Sequence, residues 1–213
     1  MAIRAILFDL DGTLIDQFDA IHRAFALTLE SMGFNKPGFE EVKKAVGGAS
    51  EATMIKLIGK ERAKEAVQLL RPIFEKEMLT GLKMLPGALE ILKKCHENKI
   101  KTAVLTNKYG PHARAACSHL NFDQYLEFTI GADDTKWKKP NPNLTKLVLE
   151  KMGTNNQNTL YVGDSPYDYQ TAKNGSMPCI LLPTGTHSKE ELSLLGGDVI
   201  IKRNLSQIFP LQD

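Results

Sequence analysis

Two hydrophobic rhythms alternate along most of the chain. One is the short apolar run: Ala5-Ile6-Leu7-Phe8, Thr102-Ala103-Val104-Leu105, Phe128-Thr129-Ile130, Leu160-Tyr161-Val162, Cys179-Ile180-Leu181-Leu182 and Val199-Ile200-Ile201. Runs of this length and composition predict β-strands. The other rhythm is helical. Residues 88–96 follow Pro86-Gly87 and put Leu89 and Leu92 on one face. Residues 143–152 stop at Gly153 and residues 167–174 at Gly175, as helices do when a glycine follows the last turn. Ser188-Lys189-Glu190-Glu191 has the spacing of a capping box and opens a further helix. Strands alternating with helices predict an α/β fold of Rossmann-like type, a parallel sheet covered by helices on both faces through right-handed crossovers.

Residues 17–81 break the rhythm. No strand pattern occurs there. Phe18, Ile21, Phe25, Leu29 and Met32 recur every three or four positions, and Val67, Leu70, Phe74 and Met78 repeat the spacing, with Met54 and Ile58 between the two sets. Gly33, Pro37-Gly38, Gly47-Gly48 and Gly59 punctuate the segment. A small helical bundle inserted after the first strand is expected.

Composition adds exclusions. The chain has 213 residues, enough for one large domain or one domain carrying an insertion. Its net charge of +2 is too weak to argue for nucleic acid or an anionic membrane as partner. Cys95, Cys117 and Cys179 are an odd, widely spaced set that suits buried free thiols better than a disulfide framework. No signal-peptide pattern opens the chain, and no window approaches the ~20 apolar residues of a membrane span. A soluble, cytoplasmic protein is expected; oligomeric state is unreadable.

In an open parallel sheet, ligands bind beyond the carboxyl ends of the strands, so the residues following each run matter. Asp9 and Asp11 follow the first, Thr106 and Asn107 the second, and Gly163-Asp164-Ser165-Pro166-Tyr167-Asp168 the run ending at Val162; Lys138-Lys139-Pro140 stands before the helix opening near Asn143. Two carboxylates as close as Asp9 and Asp11 resist ionising together unless they are solvated at a strand-end turn or something positive sits between them. Converging carboxylates bind Mg2+, a hard cation that takes oxygen ligands. One Asp can then attack phosphorus, a second can carry protons, and a hydroxyl and an ammonium can hold phosphoryl oxygens.

With these stations in this order, the chain resembles the haloacid dehalogenase superfamily in its phosphatase branch. Asp9-Leu10-Asp11-Gly12-Thr13 is similar to that family's first motif, Leu105-Thr106-Asn107 to the second, Lys139-Pro140 to the third, and Gly163-Asp164 with Asp168 to the fourth. The resemblance implies Asp9 as nucleophile and Asp11 as acid/base, with the Asp11 backbone carbonyl also on Mg2+. It implies Asp164 as a direct metal ligand and Asp168 as a support of the metal site. Thr106, Asn107 and Lys139 then hold the phosphoryl group. It also implies that 1–16 and 82–213 form the catalytic core and 17–81 a helical cap, whose loop at Gly47-Gly48 reaches the substrate.

The implied activity is Mg2+-dependent hydrolysis of a small phosphate monoester through an aspartyl-phosphate, with phosphoglycolate or a similar metabolite as best match. Alternatives on the same fold are a sugar phosphomutase, a pyrophosphatase and a nucleotidase. A receiver-like or silent phosphate-binding protein is the non-enzyme alternative. Blander expectations stand beside these. Asp16 caps the first inserted helix, Asn107 orients its loop, Lys108 is solvated, His22 is structural, and Gly131-Ala132-Asp133-Asp134 is a turn. Thr106 alone would be read as a cap or strand-end residue, and His112 could touch substrate.

Overall fold

A computed structural model describes residues 2–196 and 199–209. The two ends assigned above to the core, residue 1 and residues 210–213, lie outside the described residues. The strands are β1 (Ala5–Phe8), β2 (Ile15–Asp16), β3 (Lys83–Met84), β4 (Lys101–Leu105), β5 (Thr129–Ile130), β6 (Thr159–Gly163), β7 (Cys179–Leu181) and β8 (Ile200–Ile201). Six of them form one sheet in the order β5-β4-β1-β6-β7-β8, and every pairing in it is parallel. The helices are α1 (Phe18–Ser31), α2 (Phe39–Ala45), α3 (Ser50–Ile58), α4 (Ala63–Glu77), α5 (Ala88–Glu97), α6 (Gly110–His119), α7 (Pro142–Met152), α8 (Pro166–Asn174) and α9 (Lys189–Ser193).

The pleat sorts side chains to two faces. Ile6, Phe8, Val104, Leu160 and Val162 pack with Ile91, Leu92 and Cys95 of α5 and with Ala113, Ala116 and Cys117 of α6. Ala5, Leu7, Ala103, Leu105 and Tyr161 face the other way, onto Leu144, Val148 and Met152 of α7 and Ala172 of α8. Burial on both faces explains why these strands read as unbroken apolar runs. Ile6, Leu7 and Phe8 are wholly inaccessible, and each such side chain contributes about 1.5–3 kcal/mol. That gain anchors the strand whose end carries the acids.

Register then places the chemistry. Phe8 pairs with Val104 on one side and Val162 on the other. The three central strands therefore end nearly level, and Asp9, Thr106 and Asp164 emerge side by side.

Helices α1–α4 gather around a hydrophobic cluster of their own, with Phe18, Ile21, Phe25, Leu29, Val42, Met54, Leu70, Phe74 and Met78 in its interior. Both chain segments joining them to the sheet lie in a two-stranded antiparallel ribbon, with Ile15 opposite Met84 and Asp16 opposite Lys83. Asp16 accepts the Phe18 N–H at 3.2 Å, while the cap position of α1 falls one residue later, at Gln17. Among the described residues no helix is long and apolar enough to cross a membrane.

Candidate active site

Lys139 is the hub. Its ammonium donates to Asp9 Oδ1 at 2.6 Å and to Asp168 Oδ1 at 2.7 Å, and its side chain is 2% exposed. Carboxylate oxygens of Asp9, Asp164 and Asp168 lie within 4.8 Å of one another, and all three residues are buried. Three carboxylates face one ammonium, which leaves a deficit of two positive charges in a dry site. Burial first, then Asp168, pushes the Asp9 carboxyl up to about 6 against the pull of Lys139. Burial, then the neighbouring Asp168 and Asp9, pushes Asp164 well above the usual carboxylate range. Burial works against the Lys139 ammonium, but Asp168 and Asp9 together outweigh it and hold its pKa well above the usual value. Acids driven upward by burial and by one another, in an all-oxygen donor set, fit a hard divalent cation.

Asp168 has little freedom left. Its second oxygen accepts the backbone N–H groups of Asp164 at 3.2 Å and Ser165 at 3.1 Å, and the Ser165 hydroxyl at 2.5 Å. It ties the start of α8 to Lys139. Asp164 is held by a loop that sequence reading passed over, Thr184-Gly185-Thr186. Thr186 donates its N–H to Asp164 Oδ2 at 2.9 Å, and its hydroxyl lies 3.2 Å from the same oxygen. A Cβ on Gly185 would sit 1.9 Å from that oxygen, so only glycine lets the loop close on the acid. Gly-Thr beside a strand end is too common a turn to have marked it.

Asp11 lines the cavity beside the acid cluster. Lys108 Nζ donates to its two carboxylate oxygens at 3.1 and 2.9 Å and lies 4.7 Å from the centre of the Phe74 ring of α4. The Lys108 side chain is 7% exposed, so the expectation of a solvated lysine is overturned. Packing of α4 over the loop removes it from water, and the sequence around Lys108 carries no sign of that contact. Thr106 is buried, and its hydroxyl oxygen accepts the Lys108 N–H at 3.2 Å. That is the bland strand-end role, and the hydroxyl proton remains free to donate. Asn107 binds the loop before α7 through both ends of its amide: Oδ1 accepts Lys139 N–H at 3.0 Å, and Nδ2 donates to Lys139 O and Gly47 O, each at 3.2 Å.

Gly47 and Gly48 line the same cavity as Asp9, Asp11, Thr106, Asn107 and Asp164. Gly47 has φ +112°, and a Cβ there would meet the Tyr167 ring at 3.1 Å. His112 lines the cavity too, on α6. Its ring lies between Phe74 and Tyr109, with centroids 5.1 and 4.9 Å away. His22 contacts Pro37 O at 3.1 Å and the Phe39 ring, a structural role. Asp133 and Asp134 lie in a turn: Asp133 accepts the Gly110 N–H at 2.6 Å, and Asp134 pairs with Arg114 at 2.7 Å. They brace the start of α6 and stand apart from the acid cluster.

The model of the haloacid dehalogenase-like hydrolase family matches residues 6–182. The chain belongs to the haloacid dehalogenase-like hydrolase family. Among curated members, phosphoglycolate phosphatase of Escherichia coli O157:H7 is 30% identical over 98% of this chain and 92% of its own length. Phosphoglycolate phosphatase of Photorhabdus laumondii is 29% identical over 93% of this chain and 88% of its own length. The solved structures of a haloacid dehalogenase-like family hydrolase from Streptococcus pneumoniae and of CbbY from Rhodobacter sphaeroides in complex with phosphate superpose with TM-scores of 0.85 and 0.83, each at 21% identity. They cover 96% and 97% of this chain and 96% of their own chains. At that identity they bear on the fold alone. Within this haloacid dehalogenase-like hydrolase, the acid cluster sits at the family fold's central strand ends.

Proposed function

We propose that this hydrolase is a Mg2+-dependent phosphatase of small phosphate monoesters that works through an aspartyl-phosphate on Asp9, with phosphoglycolate or a similar short metabolite as substrate. The observation that carries the reading is the Asp9 carboxylate, buried at the end of the central strand, 2.6 Å from the Lys139 ammonium and level with Thr106 and Asp164. The names of the curated relatives support the substrate.

Asp9, Asp164 and the Asp11 carbonyl would hold Mg2+, with Asp168 supporting the site. When bound, the ion neutralises excess negative charge on the acids and the phosphoryl group. An Asp9 oxygen attacks phosphorus; the new P–O bond forms as the bond to the leaving oxygen breaks, and Asp11 delivers a proton to that oxygen. Lys139 and Thr106 hold equatorial oxygens through this transfer. Water then attacks phosphorus, Asp11 takes its proton, and the P–O bond to Asp9 breaks. Residues 17–81 serve as a cap hinged at the β2–β3 ribbon, and closure shuts bulk water out of the cavity.

Phosphate release from a panel of phosphorylated metabolites tests the reading. EDTA is expected to abolish release and Mg2+ to restore it, whereas Ca2+, with its longer and looser coordination, restores little. Full turnover in excess chelator would sink the proposal. A second expectation concerns the Gly47 loop. Gly47→Ala must accommodate both a positive φ and a Cβ 3.1 Å from Tyr167, which displaces the loop that Asn107 holds through Gly47 O. The ranking of substrates by kcat/KM should change while the unfolding temperature stays within a few degrees. An unchanged ranking places specificity elsewhere.

A further inference from the structure

The cavity lined by Asp9, Asp11 and Asp164 also carries a second set of groups. Arg71 of α4 lines the cavity and is exposed at its mouth. Its guanidinium carbon sits 4.3 Å from the centre of the Tyr109 ring, a stacking distance. Tyr109, His112 and Phe74 make a continuous aromatic shelf between α4 and the start of α6. Glu75, one turn further along α4, pairs with His112 Nε2 at 3.4 Å. Among the described residues Arg71 has no acidic partner, whereas Lys108, the other cation lining this cavity, is matched by Asp11. One guanidinium thus sits over a ring, with no hydrogen bond or ion pair to an acid among the described residues, beside the cavity that the acid cluster lines. Contact with the tyrosine ring restricts the guanidinium and reduces the freedom lost on binding.

We propose that Arg71 is a specificity-determining residue that binds a carboxylate carried by the substrate on the side away from its phosphate. The assignment rests on the phosphatase reading above. A planar fork with two parallel N–H groups matches a carboxylate in a bidentate way. A single unmatched positive charge balances a single carboxylate; a second phosphate, with nearly twice the charge, would need another cation, and Lys108 is already engaged. The preferred substrates are therefore phosphate esters of short hydroxy acids, ahead of esters of neutral alcohols. Ile21, Phe25 and Leu70 line the same cavity as Arg71 and suit a short substrate, and Ser50 and Thr53 are the hydroxyl groups the inserted helices bring to it.

The test compares kcat/KM for 2-phosphoglycolate, 2-hydroxyethyl phosphate, ethylene glycol bisphosphate and p-nitrophenyl phosphate, with saturating Mg2+, in the wild type, Arg71→Met and Arg71→Lys. A charge-assisted pair at a partly exposed site is worth about tenfold or more in kcat/KM. The wild type should favour the acid over the alcohol by at least that factor. Arg71→Met should shrink the ratio by about tenfold, chiefly through KM, and Arg71→Lys should recover only part of it. Release from p-nitrophenyl phosphate with an acid-to-alcohol ratio unmoved by Arg71→Met would overturn the role of Arg71 and leave the phosphatase reading standing. A wild-type preference for the bisphosphate over the acid would overturn the carboxylate assignment. No release from any of the four esters would overturn the phosphatase reading and this proposal with it.

Discussion

Asp9→Asn is expected to remove turnover to the limit of detection and to leave no phosphoenzyme. The amide keeps the shape of the side chain but cannot attack phosphorus. It also removes one of three charges from the cluster around Lys139, so affinity for Mg2+ should fall as well. Asp11→Asn separates the two acids. Its nucleophile is intact, but no group remains to hand a proton to the leaving oxygen or to take one from water. General acid–base help is worth ~10²–10⁴-fold. With an alkyl phosphate, whose leaving oxygen needs that proton, the Asp11 variant should lose the full factor in the first step. With an aryl phosphate the first step should lose far less, because the leaving group departs as a stable anion. The second step stays slow, so phosphoenzyme accumulates. Rapid acid quench and mass spectrometry read the position of the phosphate. Phosphate on Asp11, or wild-type turnover in either variant, would reverse the assignment of roles.

The order of these groups along the chain was legible because each follows a strand, and the strands announce themselves as apolar runs. β1 (Ala5–Phe8) was read to the residue, β4 and β7 within one residue at one end, and β6 within one residue at each end. Once the sheet is parallel, the strand ends must converge, and Asp9, Thr106 and Asp164 follow from topology alone. α6 was not legible. Its sequence, GPHARAACSH, is built from alanine, cysteine and polar residues, and it packs tightly with small side chains where periodicity methods look for large ones. The ribbon of Ile15–Asp16 with Lys83–Met84 is only two residues on each side and leaves no period to detect. The contacts around the cavity were invisible for another reason. Lys108 meets Phe74, Asn107 meets Gly47, and Arg71 meets Tyr109 because α4 and the Gly47 loop pack over the strand ends. Such contacts are decided by tertiary placement, and a local pattern does not encode them. Thr186 was missed although it lies just past β7, because a threonine beside a glycine carries no chemistry until Asp164 is seen against it.

Lys139→Met should be costly twice, and the two costs come apart in the presence of Mg2+. The wild-type ammonium is buried between Asp9 and Asp168 at 2.6 and 2.7 Å. Removing one partner of a buried charge set leaves the others unmatched and costs about 3–5 kcal/mol. For a chain of this size that is a fall of roughly 6–20 °C in Tm measured in chelated buffer. The loss should depend on pH in a definite direction. Burial already raises the folded-state pKa of Asp9 to about 6, and Lys139 is the chief influence pulling it down. Without Lys139 it rises further. An acid whose folded pKa lies above its unfolded value contributes stability that is present at low pH and lost as pH rises through the folded pKa. The deficit of the variant should therefore be small near pH 5 and larger near pH 8. Mg2+ supplies positive charge to the same carboxylates and should restore much of the Tm. It should not restore turnover, because on the proposed mechanism the ammonium holds the transferring phosphoryl oxygens, and its loss should cost about 10²–10³ in kcat by analogy with single oxyanion donors. Recovery of Tm with Mg2+ and continued loss of kcat is the signature of a lysine that serves both the fold and the reaction. A variant as stable as the wild type in chelator at pH 8, or one with wild-type kcat in Mg2+, would remove Lys139 from one role or the other.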